Sequence, residues 1–486
     1  MKKHLLSALL IINVLFAAAQ QKAQTSNILT EEQKIYGLSK FWHEVRENFV
    51  FINQVGIEKW DSIYQSYIPL ARQTTNDWEY YKLLQHFCAH TNDGHTGIMR
   101  PPIELTQTEA RKPGEVFLPE RDGMFEEGVL LLMKVAGKAS VIRVNKNLGK
   151  EIPAGSQVHT VNNLPVEEYI NRYTLPYVNQ STDHIRANMA VRSIVNGVYG
   201  DTLRLGYTKP DGKEGNIKLT FGGTSRNASE GEDLFYIPTN PSGELVSLEW
   251  QDNNIALIKL NSFSNKKIVD DFKQILPKLQ KAKGLIIDLR FNGGGDTYNG
   301  VRILQYFVPD DVLYGMHSRS RMTIPSYKAW GNYMAAKDTI NSAHAKKSYL
   351  AAHNELYHDF GVDTFKVEID KKEKLIIPTV ILTNNYTASA AEDFLIYADK
   401  QKHMIRMGQK TFGSTGQPIN VPLVAGLGAY ICTKEDTYTD GRKFVGVGVV
   451  PHIEVTPTMD DYLKGKDVEV GKACEYIKGK LAKKRN

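Results

Sequence analysis

The chain has 486 residues, 42% of them hydrophobic and 23% charged, without biased tracts. That composition suits a globular protein too long for one ordinary core, so two to four domains are expected. A formal net charge of +6 on scattered lysines, with a basic run only at Lys480 to Arg485, excludes the footprint of a nucleic-acid binder.

Lys2 and Lys3, the apolar stretch Leu5 to Phe16 and the small residues Ala17 to Ala19 predict a secretory signal over residues 1–19. The apolar run is shorter than the roughly 20 residues a bilayer requires, and no Cys at the cleavage site invites a lipid anchor. An uncleaved anchor is the alternative. The protein is therefore expected to be exported, periplasmic or extracellular, without a membrane span. Cys88, Cys432 and Cys474 are too widely spaced for a disulfide framework.

Residues 28–100 read as a helical N-terminal domain. Trp42, Val45 and Phe49, then Trp60, Ile63, Tyr64 and Tyr67, then Trp78, Tyr81, Leu84, Phe87 and Cys88 recur at helical spacing. The pattern stops at the turn cluster Thr91-Asn-Asp-Gly94. His86 and His90 share a helix face as zinc ligands do, but no Glu follows His86, and a helix surface beside a buried Cys88 accounts for them.

A Pro- and charge-rich linker, Pro101 to Asp122, leads into a β domain assigned to 113–225. Its strands are expected at Val129 to Met133, Ser140 to Val144, Gln157 to Val161 and Leu203 to Tyr207. The phrase Pro153 to Tyr169, read as strand, turn and helix start, resembles half of a PDZ-like domain; a plain small β domain fits the same pattern.

Residues 244–458 alternate strands and helices. Asn254 to Leu260 is a strand, Lys267 to Lys281 an amphipathic helix, and Gly284 to Leu289 and Thr379 to Thr383 apolar runs typical of buried parallel strands. Ala390 to Asp399 reads as a helix. A polar, aromatic-rich insertion at 311–372 carries no assignment, and 459–486 is a C-terminal surface helix.

Two loops in that region can carry chemistry. Leu289-Arg-Phe-Asn-Gly-Gly-Gly295 exposes bare amides after a buried strand. It lacks the Lys-Ser/Thr pair or the third glycine of a nucleotide loop, which leaves an oxyanion hole or a tight turn. Thr387-Ala-Ser389-Ala-Ala-Glu392 opens a helix after another buried strand. Ser389 there is either an N-cap or a nucleophile at the positive helix end, with the Ala390 amide where an oxyanion would form. Donors from two directions favour the nucleophile.

With these phrases on view, the chain resembles the tail-specific (C-terminal processing) serine peptidases. Gly284 to Gly295, Thr387 to Phe394, Gly408-Gln-Lys-Thr-Phe-Gly413, Asp93-Gly-His-Thr96 and Gly446-Val-Gly-Val-Val-Pro451 carry the likeness, in order. The resemblance implies an α/β peptidase core of crotonase-like ββα arrangement, a helical N-terminal domain, an inserted PDZ-like β domain, and Ser389 as nucleophile.

The base departs from the processing-protease branch, in which a Lys follows Thr-Phe-Gly; here that residue is Ser414, and Lys410 matches a non-catalytic position. The resemblance is instead to the tricorn-core branch, where a His of the N-terminal region serves the Ser, which points to His95. That branch places a Glu before the terminal Gly-x-Gly-Val phrase, and here Val445 stands there. Asp436 is the expected substitute for orienting His95, with Glu435 close behind. The expected reaction is acyl transfer: Ser389 attacks a peptide carbonyl, His95 moves the proton, and the Gly294 and Ala390 amides hold the oxyanion, Gly293 or Gly295 being able to replace Gly294. Strand addition would bring a peptide or protein tail to the PDZ-like domain. No metal or organic cofactor is implied. The alternative is a non-catalytic binding protein on the same fold, since the superfamily includes a retinoid-binding protein; an esterase is a third reading.

Overall fold

The computed structural model describes residues 29–75, 77–99, 130–145, 148–196, 202–220, 233–235 and 243–483. The expected signal segment and the whole linker Pro101 to Asp122 lie outside them. No helix among the described residues is long and apolar enough to cross a membrane.

Three long helices come first among the described residues: α1 (Glu31–Asn48), α2 (Ile57–Gln73) and α3 (Asp77–Ala89). Thr30 caps α1 through a box with Gln33, and the helices bury Phe41, Trp60 and Phe87 against one another. Their core includes Val421, Ala429 and Ile431 from far along the chain.

A β-rich unit follows. Its sheet runs β2 (Leu130–Val135), β3 (Lys138–Asn145), β4 (Gln157–Val161), β5 (Thr202–Thr208) and β6 (Glu214–Thr220), after the short strand β1 (Gly97–Met99) that belongs elsewhere. Helix α4 (Asp183–Arg192) packs across it and buries Ala190 and Val191 in the unit's own core.

The third region is built on a six-stranded sheet. In chain order its first members are β7 (Val246–Gln251), β8 (Ile255–Leu260), helix α5 (Lys267–Leu279), β9 (Gly284–Asp288) and helix α6 (Thr297–Leu304). The insertion contributes β10 (Val312–Arg321), α7 (Pro325–Gly331), α8 (Ala343–Ala352) and β11 (Tyr357–Lys366). There follow β12 (Thr379–Thr383), α9 (Ala390–Tyr397), β13 (Met404–Gly408), β14 (Pro418–Pro422), β15 (Gly428–Cys432), β16 (Lys434–Thr437), β17 (Ile453–Glu454) and α10 (Val468–Lys483).

The sheet order is β17-β13-β12-β9-β8-β7, parallel except for β7 against β8. Every residue of β9 and β12 is buried, as strands covered on both faces require. Phe272 of α5, Val301 of α6 and Phe394 of α9 cover one face. On the other, α10 is more than a surface helix: Val470, Ala473 and Ile477 seal Ile286, Val380 and Leu382. Gly284 permits that approach, because a Cβ there would lie 2.2 Å from Ile477 Cγ2.

Two small sheets lock the regions together. Strand β1 pairs with β15, itself paired with β14, so the segment just after His95 is hydrogen-bonded to the C-terminal half. The insertion closes as a hairpin, β11-β10-β16, with Ser318 opposite Asp436.

Candidate active site

Ser389 lies between β12 and α9, where the chain must turn from a buried strand into a buried helix. Its backbone is at φ 55° and ψ −126°, a left-handed conformation that a non-glycine residue holds only under strain. Several bonds impose it. Thr387 Oγ1 donates to the Leu289 carbonyl, the Ala388 amide to the Asn292 carbonyl, and the Ser389 amide to the Ser414 carbonyl. The glycine loop fits closely alongside: Gly294, at φ 101°, would carry a Cβ 2.7 Å from that of Ser389.

His95 reaches the same point from the turn after α3. Its Nε2 lies 3.3 Å from Ser389 Oγ, and its Nδ1 lies 2.6 Å from Ser414 Oγ. For Nε2 to accept the serine proton, Nδ1 must carry the ring hydrogen and donate it to Ser414. A neutral hydroxyl therefore stands where a carboxylate was expected.

Asp436 is not that partner. Pairing of β16 with β10 turns its carboxylate to Ser318 Oγ at 2.5 Å and Lys434 Nζ at 3.1 Å. Glu435 is taken by Arg319 Nε at 2.7 Å, and Lys410 is exposed. The expected Gly294 donor also needs correction, because its amide donates to Asn292 Oδ1 at 2.9 Å. The Ala390, Gly293 and Gly295 amides are not bonded to a described residue, which leaves Gly293 or Gly295 as the second donor. The histidine pair is occupied as well: Tyr67 Oη sits 3.0 Å from His86 Nδ1 and 3.1 Å from His90 Nε2.

Sequence reasoning passed over Glu392. It is fully buried, one turn into α9, and its oxygens accept from the Gly413 amide at 2.8 Å, the Ser414 amide at 3.1 Å, the Ser389 amide at 3.3 Å and the Thr411 hydroxyl. One carboxyl thus ties the nucleophile's turn to the loop that carries Ser414. Burial, only partly offset by those donors, pushes its pKa up to about 8.

Electrostatics around His95 run opposite to a carboxylate-assisted histidine. Burial first, and the Lys434 ammonium second, push its pKa down to about 4. Burial also opposes the charge on Lys434, but Asp436 and Asp393 together keep it charged and above the ordinary lysine range. At neutral pH the imidazole is unprotonated and free to accept a proton.

Residues 254–455 match Peptidase family S41. Over 172 residues the chain is 27% identical to carboxy-terminal processing protease CtpA of Bacillus subtilis (strain 168), covering 35% of this chain and 28% of that protein. Over 212 residues it is 27% identical to a tail-specific protease of Haemophilus influenzae (strain ATCC 51907 / DSM 11121 / KW20 / Rd), covering 42% of this chain and 24% of the relative. It thus spans about a quarter of the length of these curated relatives. The crystal structure of mature CPAF shares the fold, with TM-score 0.64 at 15% identity over 92% of this chain and 96% of that one. Residues 254–455, which hold Ser389 beyond a central strand of their sheet, thus match Peptidase family S41, and the chain is similar there to serine-type peptidases.

Proposed function

We propose that the protein is an exported serine peptidase that cleaves peptide or protein substrates through an acyl-enzyme. The observation that carries this reading is a single constellation: Ser389 Oγ 3.3 Å from His95 Nε2, beside an Ala390 amide with no partner among the described residues. Ser389 attacks the carbonyl and His95 takes its proton. The Ala390 amide, with that of Gly293 or Gly295, receives the oxyanion, and the histidine returns the proton to the leaving amine. Water then repeats the sequence to release the acyl group. Ser414 fixes the imidazole tautomer, and Glu392 fixes Ser414.

A cavity of about 330 Å³ is lined by Phe291 of the glycine loop, by Asn384 and Tyr386 of the segment leading to Ser389, and by Met133 of the β-rich unit. Met133 belongs to β2, which ends its sheet among the described strands. That supports the finer reading of the β-rich unit as a PDZ-like module inserted before a crotonase-like core. Export rests on the signal read in residues 1–19.

A non-catalytic binding protein is favoured by one observation, the lack of a carboxylate on His95 Nδ1 among the described residues. Incubation of the mature protein with a serine-directed fluorophosphonate separates the two. Covalent labelling of Ser389, lost in His95→Ala, supports the peptidase; no labelling of folded protein refutes it.

A further inference from the structure

The candidate dyad comes from two remote stretches of chain, and a further stretch grips both the turn that carries His95 and the loop that carries Ser414. Asn179 to His184 runs along the β-rich unit into the first turn of α4. Val178 before it and Val191 beyond it are buried in that unit's core, so the segment is carried by the unit.

On one side the segment grips the His95 turn. Asn179 Oδ1 accepts from the Asp93 amide at 2.9 Å. Its Nδ2 donates to the Thr96 carbonyl at 2.6 Å and to Thr91 Oγ1 at 2.9 Å. Ser181 Oγ accepts from the Gly94 amide at 2.9 Å and donates to Asp93 Oδ1 at 3.2 Å. Residues on both sides of His95 are therefore held by two side chains from another unit. On the other side the segment grips the Ser414 loop: Thr182 Oγ1 donates to the Phe412 carbonyl at 3.1 Å, and His184 Nε2 to the Thr411 carbonyl at 2.9 Å.

We infer that Asn179 and Ser181 are positioning residues for the reaction, setting the distance from His95 to Ser389 and Ser414 from outside the family-matched region. The inference rests on the peptidase reading above. A turn has no ladder of its own to fix a ring, so its placement depends on the groups that hold its backbone. Misplacing a reacting group by about 1 Å costs on the order of 10²-fold in rate.

The test uses the full mature chain with Asn179→Ala, Ser181→Ala and Ser181→Thr, measuring kcat and KM on a peptide substrate and the rate of fluorophosphonate labelling. Positioning predicts that kcat and labelling fall together, about 10- to 100-fold for Asn179→Ala and less for Ser181→Ala. KM should stay within about two-fold, and Ser181→Thr, which restores the hydroxyl, should recover most of the loss. Should Asn179→Ala fail to fold, the Ser181 pair decides by the same criteria. Unchanged kcat and labelling in the Ala variants, or a raised KM at constant kcat, overturns the inference while leaving the peptidase reading intact. Failure of the unmutated protein to label overturns that reading instead, and this inference with it.

Discussion

Ser389 stands at the exit of a parallel strand buried on both faces, whereas His95 stands in an irregular turn held by side chains from other parts of the chain. The first is fixed by dense apolar packing around β9, β12 and α9. The second depends on a few hydrogen bonds, each worth about 0.5–1.5 kcal/mol net. Away from Thr387 and Glu392, the serine side should tolerate single polar substitutions better than the histidine side does.

The sharpest break in that comparison comes from the dyad itself. Ser389→Ala and His95→Ala should each lower kcat/KM by about 10⁴-fold or more without changing the thermal unfolding midpoint appreciably. Equal losses would show the two acting as a unit; a much smaller loss for His95 would assign the base elsewhere.

Ser414→Ala comes next. It removes the only hydrogen-bond partner of His95 Nδ1 among the described residues, so kcat should fall about 10- to 100-fold while KM holds. That is less than the loss of a triad carboxylate, because a neutral hydroxyl stabilises the imidazolium only weakly.

Glu392→Gln sharpens the link between the two sides. Both carboxyl oxygens accept from backbone amides, so the variant must aim an NH₂ group at a donor, at a cost of about 1–3 kcal/mol of stability. Its pH dependence has a definite sign. Because the folded pKa is raised from 4.5 to about 8, the native state keeps the proton longer than the unfolded chain. Stability is then lost as pH rises between those values. Chemical denaturation at several pH values should show a shallower decline in Glu392→Gln.

The smallest effect belongs to Lys434→Met. Removing the ammonium that opposes protonation of His95 should move the acidic limb of kcat/KM upward. Asp436→Asn, which leaves Lys434 less compensated, should move it slightly downward.

What the sequence showed follows the same division. The continuous apolar runs at Gly284 and Thr379 and the small residues around Ser389 are local signals, and each stands in the fold where its pattern points. The orienting group was not local. Asp436 is the natural choice from a list of loop acids, but its direction is set by strand pairing with the unassigned insertion, which the sequence could not supply. A signal for Ser414 existed: a hydroxyl at the position where the processing branch has Lys. Asn292 had one too, since Asn two residues before a glycine commonly folds its side chain onto that amide.

The proposed mechanism needs a neutral, deeply set histidine oriented by a hydroxyl, and the pH profile of kcat/KM tests it most directly. The predicted profile is flat through neutrality and falls only as pH drops toward about 4. An acidic limb at or above about 6.5, the value of free imidazole, would contradict it and mean that a carboxylate supports His95 after all.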